Sequence, residues 1–188
     1  MSMRSDAWMI DFHVHIGEWP ELDIGLSLTD FKHIMKKYGI EHAVVMPMLL
    51  PSVGARTLNA SLLSKVREET DMFSVFAWVN NPDEASLDFL SKSMKYFSGL
   101  KFHPSISQRS VDSPEMECVL DFAEARSYPL LYHCGRTPVS FADPVAGIAE
   151  SYPNIKFILA HLGGNAYDRI VLTMKLFKRG VPDNVYVE

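Results

Sequence analysis

The residues of this chain best suited to chemistry are histidines, and they recur in similar settings. The stretch DFHVH, residues 11–15, places His13 and His15 two positions apart, with Asp11 two residues further back. Three more histidines close apolar runs: His103 in GLKFHP, His133 in PLLYHC and His161 in IKFILAH. Imidazole is the commonest transition-metal ligand at neutral pH, and residues i and i+2 of a strand point the same way. His13 and His15 could therefore chelate one ion. Nitrogen-rich coordination suits zinc or a similar divalent ion, whereas calcium and magnesium want oxygen ligands. Lys101, two residues before His103, and Arg136, just after His133, add cations that could pair with a substrate carboxylate.

Short apolar runs alternate with helical patterns from end to end. The strand candidates are residues 8–15, 42–47, 72–79, 99–104, 129–134, 155–161 and 184–188, rich in β-branched and aromatic residues and bounded by Gly, Pro or Asn. Between them Leu28, Phe31, Met35 and Tyr38 form a helical stripe that Gly39 stops. Ser113-Pro114 and Asp143-Pro144 are start signals for two later helices, and Asn165 is a candidate cap for the helix carrying Ile170, Met174 and Phe177.

Such alternation implies parallel strands with helical crossovers, hence an α/β fold. No GxGxxG turn follows the first strand, which argues against an open dinucleotide-binding sheet. In a β/α barrel chemistry gathers at the C-terminal strand ends, and His13, His15, His103, His133 and His161 occupy such ends on four strands. Strict alternation puts Asp11, His13 and His15 on the inward face, opposite Ile10, Phe12 and Val14. Likewise Lys101 and His103 face inward, away from Leu100 and Phe102. His42 begins its strand, at the opposite face, and His33 sits among helix lysines; both read as packing or surface residues. Cys134, next to His133, should point outward as a buried, inert thiol.

Composition limits the rest. The 188 residues are 47% hydrophobic and 22% charged, which suits one soluble domain with a real core. A net charge of -5 argues against nucleic acid and anionic membranes as partners. No apolar run approaches the roughly 20 residues of a membrane span, and residues 1–10 carry no secretion-type stretch. Two cysteines make no disulfide framework, so the expectation is a cytoplasmic protein with free thiols.

Taken in order, IDFHVH, GLKFHP, LLYHCG and ILAHLGG resemble the amidohydrolase-related family of the metal-dependent hydrolase superfamily. The branch is that of the aminocarboxymuconate-semialdehyde decarboxylase-like enzymes, and the likeness runs over nearly the whole chain. It implies a TIM-type (β/α) barrel with a divalent metal, zinc first, at its mouth. By position, His13, His15 and His133 match the family's metal ligands. His161 matches a histidine that binds a second metal in some branches and handles water or substrate in others. Lys101 matches a fourth-strand lysine that is carbamylated in some members; here a substrate-facing ammonium is expected, with His103 lining the pocket. The family's eighth strand supplies a metal-binding aspartate, but NVYVE reads as strand seven, and a full barrel takes about 250 residues. The expectation is one barrel domain over 1–188 lacking its last βα unit, either shorter than the working enzyme or degenerate. Free edges on strands one and seven would then imply a partner, a homo-oligomer among the options, a missing segment or poor stability.

The leading functional expectation is hydrolysis of a small, carboxylate-bearing substrate. A metal held by His13, His15 and His133 would bring its water's pKa near neutrality, with His161 and Lys101 as catalytic groups and His103 and Arg136 binding substrate. Three rivals stand beside it: a metal-dependent non-oxidative decarboxylase of the same family, a phosphoesterase of the polymerase-and-histidinol-phosphatase type, and an inactive metal-binding fragment.

Overall fold

The structure is a computed structural model that describes residues 8–188 other than 49, 51–52, 70 and 81–82. Residues 1–7, read above for a secretion signal, lie outside it. The chain opens with β1 (Ile10–Trp19), β2 (Ile24–Leu26), α1 (Leu28–Tyr38), β3 (His42–Pro47), α2 (Ala55–Val66), β4 (Phe73–Trp78) and α3 (Glu84–Ser93). It continues through β5 (Gly99–Phe102), α4 (Pro104–Ser107), α5 (Glu117–Glu124), β6 (Leu130–Tyr132), α6 (Asp143–Ile148), β7 (Phe157–Leu159), α7 (Tyr167–Arg179) and β8 (Val185–Val187).

One sheet runs in the order β2-β1-β3-β4-β5-β6-β7-β8. Its successive pairs from β1 to β8 are parallel, the TIM-type order, and β2 folds back antiparallel on the end of β1. The seven predicted strands are these parallel ones; β2 has no counterpart in the prediction. Among the described residues no ladder joins β8 to β1.

Side-chain alternation divides the strands into two layers. Val14, Val45, Val75, Leu100, Leu130 and Phe157 point outward and join Phe31, Met35, Leu62 and Val119 of the helices in the main core. Burying each such side chain contributes roughly 1.5–3 kcal/mol. The inner layer is smaller: Val44, Met46, Phe76, Leu131 and Ala160, with Phe12 and Ile158 packed against them. Gly99 makes room for this filling, because a Cβ there would lie 2.6–2.9 Å from the Phe76 ring.

Strict alternation fails once, in β1. Asp11 pairs with Ala43 and Val14 with Val45, so three steps on β1 match two on β3. This β-bulge carries one extra residue and resets the facing of everything after it. Phe12 therefore faces inward, edge-on to Phe76 at 6.0 Å, as do the histidines that follow. Asp11 instead sits in register with Ala43 of the outer layer, and its carboxylate accepts the His13 backbone N–H at 3.3 Å. The expected inward triplet of Asp11, His13 and His15 is corrected to the two histidines.

Two buried asparagines lock the strand ends beneath the site. Asn59 of α2 takes the Trp78 N–H and donates to the Trp78 carbonyl, at 2.7 and 2.9 Å. Asn80 does the same for His103, at 2.6 and 2.8 Å. Each satisfies a backbone N–H and carbonyl at or just past the end of a strand. At the sixth long connection Asn165 is not the cap; Ala166 precedes α7 and supplies no side-chain bond.

Candidate metal centre

The five strand-end histidines and Lys101 come together at the C-terminal mouth of the barrel. The bulge in β1 aims His13 and His15 inward, and their Nε2 atoms stand 3.2 Å apart. From β5, Lys101 is fully buried and places Nζ 2.9 Å from His13 Nε2. His133 follows β6 and His161 follows β7, with His161 Nε2 3.2 Å from His133 Nδ1. The two pairs are joined through a stack of His13 on His161, centroids 5.1 Å apart. His103 lies face to face on His133 at 3.5 Å, and its Nδ1 is buried without a hydrogen-bond partner.

Hydrogen bonds on the far side of the first pair assign its tautomers. His13 Nδ1 meets a Glu188 carboxylate oxygen at 2.8 Å, and His15 Nδ1 meets the Pro47 carbonyl at 3.0 Å. Both oxygens only accept, so in the neutral rings both Nδ1 atoms carry the hydrogen. Both Nε2 lone pairs are then turned toward each other with no hydrogen between them, and the Lys101 amine beside His13 Nε2 can serve only that one, so the pair suits a shared cation. Two zinc–nitrogen bonds of about 2.0–2.1 Å at a tetrahedral angle separate their nitrogens by about 3.3 Å. The observed 3.2 Å fits that spacing. Ligating histidines characteristically donate their other N–H to a carboxylate or a backbone carbonyl, as both do here.

Glu188 was not singled out from the sequence. It follows β8. Among the described residues His13, His161 and Glu188 are the group whose ligand atoms all lie within 4.8 Å of one another, a group that does not include the expected ligands His15 and His133. Its position at the end of a predicted strand was the available signal, the same one that marked the histidines. Burial pushes its carboxyl up, but the hydrogen bond and charge of His13 outweigh that and hold it below the ordinary value.

The electrostatics favour neutral nitrogen donors. Burial, followed by the Lys101 charge, lowers His15 to about 3 and His103 to about 3. Burial, then His103, lowers His133 to about 2. His161, exposed at the rim, is also lowered, first by desolvation and then by His13. Lys101 falls to about 7, because desolvation outweighs the attraction of Glu188. Cys134 points outward into the core as expected, and burial pushes its thiol up to about 12. Arg136 is exposed in the loop after β6 and makes no hydrogen bond or ion pair with the described residues. The structure does not bring it to the cluster.

Comparison with known proteins follows the same line. The amidohydrolase profile, of the type designated Amidohydro_2, matches residues 10–187. The chain belongs to the amidohydrolase family. Among similar structures is an amidohydrolase from Burkholderia multivorans with bound zinc, at 15% identity and TM-score 0.68, covering 96% of this chain and 69% of that one. A TIM-barrel protein from Bordetella bronchiseptica is similar at 14% identity and TM-score 0.67, covering 96% and 74%. The 5-carboxyvanillate decarboxylase of Sphingomonas paucimobilis is similar at 13% identity and TM-score 0.63, covering 83% and 68%. At such identities the likeness is one of fold. No curated protein matches the chain. Among the described residues no helix is long and apolar enough to cross a membrane.

Proposed function

We propose that this amidohydrolase-family chain is a metal-dependent hydrolase acting on a small, carboxylate-bearing substrate. The observation that carries the reading is the convergence of the His13 and His15 Nε2 lone pairs, 3.2 Å apart, each ring anchored through Nδ1. His13, His15 and His133 would hold the divalent ion, zinc by the all-nitrogen donor set. When bound, such an ion supplies Lewis acidity and makes a water nucleophilic near neutral pH.

The remaining roles belong to the chain's own groups. Glu188, by accepting from His13 Nδ1, fixes that ring and raises its basicity. Lys101 donates to His13 Nε2, and once that lone pair is engaged its hydrogens need another acceptor. A substrate carboxylate or carbonyl oxygen is the acceptor we assign to it. His161, at the rim and hydrogen-bonded to His133, is placed to carry a proton between substrate and solvent. His103 lines the floor through its stack on His133, and Arg136 is assigned to substrate charge in the outer loop. A non-oxidative decarboxylase is the second reading, favoured by the named activity of the Sphingomonas relative.

Zinc titration by calorimetry tests the centre, and a panel of lactones, amides and aromatic acids tests the reaction. One zinc site lost in His13→Ala, with a cleaved ester or amide as product, is the expected result. Absence of any zinc binding overturns the metal; carbon dioxide release in place of hydrolysis overturns the reaction.

A further inference from the structure

The turn that carries His161 is held in a costly conformation, and one side chain outside the cluster grips it. His161, Leu162 and Gly163 all have left-handed φ values, 61°, 55° and 77°. Only the last of the three is a glycine, so two ordinary residues occupy a region that L side chains rarely adopt. Such segments persist where the surroundings over-determine them.

Thr173 is what packs against this turn. It lies on the second turn of α7 and is 5% exposed, the buried residue of that helix. Leu172 and Met174 on either side are 46% and 54% exposed, so α7 meets the barrel here through a hydroxyl residue, not an apolar one. The Thr173 hydroxyl donates to the Gly163 carbonyl at 2.8 Å. Its methyl and Cβ lie against the Gly163 Cα so closely that any Cβ at Gly163 would collide with them. From the other side Leu162 donates its N–H to the Glu188 carbonyl at 2.7 Å. The turn is therefore fixed by one residue on each side, and Glu188 also belongs to the imidazole cluster through His13. Among the described residues Thr173 makes no hydrogen bond to a histidine.

We propose that Thr173 is a positioning residue. Its hydroxyl and methyl clamp the left-handed turn and thereby set where the His161 ring stands beside His133 and His13. The inference rests on the reading of His161 as part of the functional site.

The test uses the metal-free 188-residue chain with 13C-labelled histidine Cε1, followed by two-dimensional NMR, with His161 assigned from His161→Gln. Thr173→Val keeps the shape and removes the hydrogen bond; Thr173→Ser keeps the hydrogen bond and removes the methyl. In Thr173→Val the His161 and His133 peaks should shift or split, while His33 and His42 stay in place. Thr173→Ser should restore the wild-type His161 position. An unmoved His161 peak in Thr173→Val overturns the proposal, as does an equal shift of all histidines, which would mean general loosening of the fold. A Thr173→Ser shift as large as that of Thr173→Val also overturns it, by removing the hydroxyl from the account. Zinc added to the wild type is a separate arm: if no peak moves, the metal reading fails while the Thr173 result stands.

Discussion

Histidine occurs at both ends of this barrel, and the two settings differ in what faces the ring nitrogens. At the N-terminal end His42 has oxygen on both sides, with Ser74 Oγ 2.9 Å from Nε2 and the Asp71 carbonyl 3.2 Å from Nδ1. Every lone pair and hydrogen there has a partner, and the ring pins β3 to β4. At the C-terminal end nitrogen faces nitrogen, in the His13–His15 and His133–His161 pairs, with Lys101 alongside. A fold satisfied on its own terms would not build the second arrangement. Imidazoles whose partners are oxygens are structural, and imidazoles that converge on one another are prepared for something electron-poor.

The largest effect should come from breaking the converging pair. Replacing His13 and His15 together by Ala should abolish zinc binding measured by calorimetry, while His42→Gln keeps it at wild-type stoichiometry. Loss of zinc in His42→Gln, or retention in the double variant, would erase the distinction between the two ends. Next comes Glu188→Gln, which weakens the acceptor behind His13 and should raise the zinc dissociation constant about 10–100-fold. An unchanged affinity would deny the carboxylate its part.

Acid should expose the same contrast in the metal-free protein. His15, His103 and His133 have native pKa values depressed to about 3, 3 and 2, against an unfolded value near 6.5. Below about 6.5 the unfolded chain takes up protons that the native chain refuses, so stability is greatest above that pH and falls as the pH drops. Lys101, lowered to about 7, acts in the same direction at higher pH. Urea midpoints should therefore decline steadily from pH 7.5 to 5.5, and a flat or rising trend would contradict the buried, neutral cluster. The smallest effect belongs to the structural end. Ser74→Ala removes one partner of His42 and should cost about 1 kcal/mol in chemical denaturation, with no change in zinc affinity.

The reach of the sequence divides along the same line. Strand positions were legible because apolar runs between turn residues leave a strong mark, and β3 matches its expected range residue for residue. The convergence of five histidines was legible because strand ends share one face of a barrel. Asp11 was misplaced because a bulge depends on the pairing of two strands and leaves no trace in a two-residue period. Asn165 has the right residue type for a cap, but the backbone places Ala166 there instead. The β2 hairpin is only three residues long, too short for periodicity to register. Glu188 and Thr173 act through partners distant in the chain, His13 and Gly163, which no local pattern could pair.

The irregularity in β1 carries a consequence for how this protein can change. Since one surplus residue between Asp11 and Val14 sets the facing of everything downstream, point substitution leaves the phase of the strand intact. Pairing straight through from Asp11 with no residue bulged out would set His13, not Val14, opposite Val45 and swing both imidazoles under the helices, whereas deleting Phe12 would even out the ladder and leave them facing inward. The nitrogen cage thus depends on the pairing phase at the root of the strand as well as on the side chains at its rim.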